Sequence, residues 1–86
     1  MNKEIAIIEP NTLAGLGLRH LLQQMMPTIT IRHFGSMQQL TDDTPDMYGH
    51  YFVSSAVYFE HASFFLQRMS RTIVLTSGGA QREFLL

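Results

Sequence analysis

The side chains of this chain that could carry chemistry are few: the carboxylate of Glu9, the hydroxyls of Ser54, Ser55 and Thr76, the acidic stretch Asp42, Asp43 and Asp46, and four histidines, His20, His33, His50 and His61. A serine hydroxyl becomes a nucleophile only when a neighbouring base takes its proton. Neither serine lies in a Gly-x-Ser-x-Gly elbow or beside a recognisable His-acid pair. A Ser-Ser pair closing an apolar run is turn chemistry first. The histidines share no i, i+4 spacing and no accompanying ligand motif, and read as scattered surface or partly buried side chains. The three aspartates surround Pro45 in a polar stretch that reads as a solvated loop and not as a metal site. Glu9 alone offers too few oxygens for a dedicated Mg²⁺ site. Gly15 and Gly17 follow a strand-like run, but they begin six residues beyond Glu9 and fall inside a helix instead of at its opening turn. Close packing, and not a dinucleotide, is their expected use.

These groups act together only if the fold gathers them, and the apolar pattern predicts how. Ile5-Ala6-Ile7-Ile8 is continuously apolar, the pattern of a strand buried on both faces in the middle of a parallel sheet. From Leu13 to Met26, Ala14, Leu18, Leu21, Leu22 and Met25 recur at helical spacing, with Asn11 or Thr12 as cap and Pro27 as stop. Thr28 to Phe34 alternates, Ile29 and Ile31 against Thr28, Thr30 and Arg32, as a half-buried edge strand does. Ser36 and Gln39 fit a capping box at the start of a short second helix, in which each side chain satisfies the other's amide. His50 to Val53 predicts a third strand ending at Ser54-Ser55. Val57 to Met69 predicts a third helix, unusually aromatic with Tyr58, Phe59, Phe64 and Phe65, which should bury a second face. Thr72 to Thr76 predicts a fourth strand. Ser77-Gly78-Gly79 reads as a turn, and Ala80 to Leu86 is too short for a stable free helix.

Strands alternating with helices imply right-handed crossovers over an open parallel sheet. The expected fold class is therefore α/β, a three-layer flavodoxin-like sheet of order 2-1-3-4, incomplete after its fourth strand. Ligands of such sheets sit at the carboxyl ends of the strands, where Glu9, Ser54, Ser55 and Thr76 all fall. Composition narrows the function further. Eighty-six residues make one domain, and 45% hydrophobic content is enough for a modest core. Six basic residues against seven acidic ones, with no basic cluster, make direct DNA binding or attachment to an anionic membrane a poor expectation. No cysteine is present, which removes disulfides and thiolate metal sites and suits a cytoplasmic location. No apolar run approaches the roughly 20 residues that span a bilayer.

The stretch Ile5 to Leu22, with its apolar strand, Glu9-Pro10-Asn11, and a helix containing Gly17-Leu18-Arg19 and Leu21-Leu22, resembles the opening of the receiver domains of two-component response regulators, especially those joined to a LuxR-type DNA-binding domain. Ile73-Val74-Leu75-Thr76-Ser77 is similar to the family's fourth strand, whose Thr or Ser contacts the phosphoryl group. In that family two acids after the first strand and one after the third hold Mg²⁺, and the last accepts the phosphoryl group. The resemblance implies that Glu9 matches the first acid, that Pro10 stands where the second belongs, and that Ser54 or Ser55 replaces the acceptor aspartate. It thus implies residues 1–86 as a partial receiver-like domain with a degenerate phosphorylation pocket of Glu9, Pro10, Ser54, Ser55 and Thr76, no enzymatic activity and no cofactor or bound metal. A histidine kinase would belong to its ancestry. DNA would be reached only through a C-terminal domain outside this chain. An uncovered fourth strand would favour a homodimer. Two other readings stand beside this one, a stand-alone dimerisation or scaffold module and a small-ligand sensor on the same frame.

Overall fold

A strand with no polar position can survive only where both its faces are covered, and Ile5–Ile8 (β1) is such a strand: all four residues are at most 4% exposed. The structure, a computed structural model, describes residues 4–43 and 46–76. β1 is paired in parallel on both sides, with Ile31–Phe34 (β2) and with His50–Ser54 (β3). Thr72–Leu75 (β4) adds in parallel to β3. The resulting four-stranded sheet has the order 2-1-3-4, the expected order of an incomplete flavodoxin-like sheet.

Helices cover both faces. Thr12–Met25 (α1) packs on one, where Leu22 joins Ile5, Ile7 and Ile31 with Leu18 and Phe52 at the margin. Met37–Thr41 (α2), Ser55–Glu60 (α3) and Ala62–Leu66 (α4) pack on the other, over a larger core of Ala6, Ile8, Phe34, Leu40, Tyr51, Val53 and Phe65. Edge-on aromatic contacts run through this second core, from Phe34 to Tyr48, Tyr48 to Tyr51, and Tyr51 to both Phe64 and Phe65, with centroids 5.9–6.2 Å apart.

The ends of α1 follow the expected signals. Asn11 Oδ1 accepts from the Ala14 amide at 3.0 Å, and the helix stops at Met26, the residue before Pro27, which the proline ring holds out of the helical region. Its apolar stripe is less buried than the spacing predicts. Leu22 is inside, but Leu21 and Met25 are 57% and 74% exposed. β2 begins at Ile31 and not at Thr28. The Ile29 amide turns back to Met26 O and Gln23 Nε2 donates to Ile29 O, leaving only the four residues level with β1 to pair. The capping box is also shifted by one residue. Ser36 Oγ accepts from the Gln39 amide, whereas Gln39 Oε1 accepts from the amide of Gly35, not of Ser36.

The predicted helix Val57–Met69 is not one helix. His61, at φ −127° and ψ 41°, separates α3 from α4, and a 3₁₀ turn at Met69–Arg71 leads into β4. Thirteen helical residues would run about 20 Å. The chain has only to return from Ser54 to Thr72, which is level with Tyr51, roughly 10 Å along the strands. Breaking the helix shortens the path and lets both Val57 and Phe65 reach the core. The carbonyls freed by the breaks find side-chain donors, Phe64 O from Arg68 Nη1 at 2.7 Å and Arg68 O from Thr72 Oγ1 at 2.8 Å. The expected second buried face is not seen among the described residues, where Phe59, Leu66 and Met69 are 75%, 53% and 64% exposed. No helix of the described residues is long and apolar enough to cross a membrane.

Phe65, fully buried against Tyr51, Tyr58 and Phe64, closes the aromatic core. Phe65→Ala is expected to cost about 3–5 kcal/mol, read as a fall in the urea unfolding midpoint. Phe65→Leu should lose less than half of that.

Candidate functional site

The strand ends meet in a crevice of about 310 Å³ lined by Glu9, Pro10, Asn11, Ala14, Ser54, Ser55, Leu75 and Thr76. All five residues singled out in the sequence are therefore neighbours. The sheet register explains why: Ile8 is level with Val53 and Ser54 with Leu75, so the residues following β1, β3 and β4 leave the sheet at one height.

Each polar group of the crevice already has a structural task or faces solvent. Glu9 Oε2 accepts from the Asn11 amide at 2.8 Å, folding the carboxylate back onto its own loop. Pro10 is exposed and contributes no polar side-chain atom. Ser54 is the last residue of β3 and the cap of α3, its Oγ accepting from the Val57 amide at 3.4 Å. Ser55 opens α3 and is half-buried, while Thr76 is exposed. Among the described residues Glu9 is the only ionisable side chain in the lining, and no lysine, arginine or histidine faces it there. A lone carboxylate that accepts from an amide, beside one capping hydroxyl and two others, has neither the ligand number for Mg²⁺ nor a base to activate serine.

What holds Glu9 in place was not legible in the sequence. His33 Nε2 lies 2.9 Å from Glu9 O and, as the N–H tautomer, donates to it. The Glu9 amide in turn donates to Phe34 O. The imidazole occupies the space above Gly15, where a Cβ would stand only 2.2 Å from Nε2. Gly15 thus has the close-packing role expected of it, whereas Gly17 faces open space and does not. The only hint was a glycine within a helix, and it pointed to no partner.

The aspartates lie exposed in the connection after α2, the solvated loop expected of them, and two of them are paired. Asp43 accepts from Arg32 Nη1 at 2.5 Å and from the Tyr48 hydroxyl at 3.1 Å. The hydrogen bond with Tyr48, then its charge and that of Asp43, push the Arg32 guanidinium pKa upward. Asp46 pairs with Arg68, whose guanidinium stacks 3.7 Å above the Phe64 ring. Among the described residues no three His, Asp or Glu side chains come together as a metal site. A second, larger groove of about 630 Å³ is lined by residues of α2, α3 and α4, among them Met37, Val57 and Phe64, together with Pro10, Glu60 and His61. No motif in the sequence marks this groove.

No family model, curated protein or solved structure matches the chain.

The two glycines of α1 should respond in opposite directions to the same substitution. Gly15→Ala drives a methyl group into the His33 ring and is expected to lower stability by about 1–3 kcal/mol. Gly17→Ala should raise it by about 0.5–1 kcal/mol through helix propensity. Thermal or urea unfolding of the two variants checks both signs.

Proposed function

We propose that the chain is a receiver-like interaction module of a bacterial response regulator that no longer works through aspartyl phosphate. The observation that carries this reading is the crevice itself. It lies at the carboxyl ends of a parallel 2-1-3-4 sheet, where a receiver keeps its acids, yet among the described residues its lining holds Glu9 as the one carboxylate, with Pro10, Ser54, Ser55 and Thr76 around it. Ser54, at the end of β3, is the residue we place at the acceptor position. A phosphoryl group accepted there would need Mg²⁺ to neutralise its charge and a nucleophile stronger than a capping hydroxyl. Signalling then rests on contacts with a partner or a second copy, in the cytoplasm, and DNA is contacted by another domain of the regulator.

Incubation with ³²P-labelled acetyl phosphate and Mg²⁺ tests this, and the chain is expected to take up no label. Stoichiometric labelling would overturn the reading. The variant carrying Pro10→Asp and Ser54→Asp returns two carboxylates to the crevice. It is expected to gain Mg²⁺ binding by calorimetry where the parent shows none, and the absence of such a gain would count against a vestigial metal site.

A further inference from the structure

The two edges of the sheet are built differently. β2 carries Arg32, tied to Asp43 and close to Glu4, so a charged and partnered side chain guards that edge. Charges on an edge strand prevent further pairing. β4, at the other edge, reads Thr72-Ile73-Val74-Leu75 with no charge at all. Its register with Phe52 and Val53 places Ile73 on the α1 face and Val74 on the α3 face, and both are about 40% exposed. The edge is therefore apolar on both faces, and among the described residues β3 is its only neighbour in the sheet.

We propose that β4 pairs antiparallel with β4 of a second copy about a two-fold axis perpendicular to the sheet, with Ile73 opposite Ile73 of the second copy. This deepens the interaction-module reading above by naming its surface and partner. A two-fold contact sets every group against its own copy, which a charged strand opposes and this uncharged one does not. An axis perpendicular to the sheet is the one that makes two equivalent neighbouring strands antiparallel, and it keeps the helices of both copies on the same face. α3 lies over β3 and β4. Strands about 4.8 Å apart then bring α3 of the two copies to about 10 Å, the ordinary distance of packed helices. The α2–α3 layer becomes continuous across the joint, and Phe59 of α3, 75% exposed in the single chain, gains a neighbouring helix. An axis in the plane of the sheet, running along the strands, would make the two strands parallel and carry the two α3 helices to opposite faces, leaving that layer broken.

Because the chain has no cysteine, a single introduced thiol reports the register. Ile73→Cys meets its own copy directly across the strands and is expected to form a disulfide-linked dimer under mild oxidation. Val74→Cys would face its copy at a Cα separation of roughly 8 Å, too far to bridge, and should remain uncrosslinked. In sedimentation equilibrium the parent chain should be a dimer, and Ile73→Lys should weaken association by about tenfold or more. Circular dichroism of the near-isosteric cysteine variants keeps the test valid should the lysine variant fail to fold. A parent that stays monomeric at high concentration, as it would if residues 77–86 covered the edge, overturns the proposal. So does crosslinking of Val74→Cys as readily as Ile73→Cys, or a dimer that survives a folded Ile73→Lys. Uptake of phosphate label would overturn the preceding reading alone, and a monomer this one alone.

Discussion

Everything in this molecule depends on keeping the backbone amides of β1 paired while its side chains are taken out of water on both faces. Ile5, Ile7 and the residues level with them require α1 on one side. Ala6 and Ile8 require α2, α3 and α4 on the other. A strand so enclosed cannot be joined to its neighbours by tight hairpins, because the covering helices must lie within the connections. Parallel pairing with its neighbours follows from that burial. The crevice at the strand ends follows as well, since every connection leaves the sheet from the same end.

The two faces are packed unequally. The α2–α4 face is filled by an aromatic series through Phe34, Tyr48, Tyr51 and Phe65, closed at its rim by the Arg32–Asp43 and Arg68–Asp46 pairs. Those pairs are partly solvated and add little to stability by themselves. Their effect is to tie the polar connection between α2 and β3 to the sheet edge and to α4. The α1 face is thinner. α1 lies over β1 and β2 and leaves Phe52 half covered and Ile73 exposed, so the apolar surface continues beyond the helix.

The crevice keeps a position and has little chemistry. One oxygen of its carboxylate accepts from the Asn11 amide and the Ser54 hydroxyl accepts from the Val57 amide, so both serve the loops that form it. Stabilising a turn and stabilising a ligand compete for the same lone pairs. The His33–Gly15 contact holds Glu9 from behind through its backbone, which fixes the loop without lending the carboxylate a charge to work against.

The sequence by itself determined the elements and their class. Ile5–Ile8, the α1 cap at Asn11, its stop before Pro27 and the strand at Thr72 are local signals, carried by neighbouring residues, and they lead to a parallel 2-1-3-4 sheet. The gathering of Glu9, Pro10, Ser54, Ser55 and Thr76 follows from that class, because strand ends coincide in any such sheet. Only the tertiary structure decided where spacing misleads. It broke the aromatic helix at His61, where the distance back to β4 outweighed a continuous apolar pattern. It shortened β2 to the length its partner allows, and it gave the loop residues Asp43 and Asp46 their ion-pair partners. It also set His33 over Gly15, eighteen residues away in the chain. Periodicity records which side of an element is apolar. How far two elements stand apart, and which side chain fills the space between them, is settled only when the elements pack.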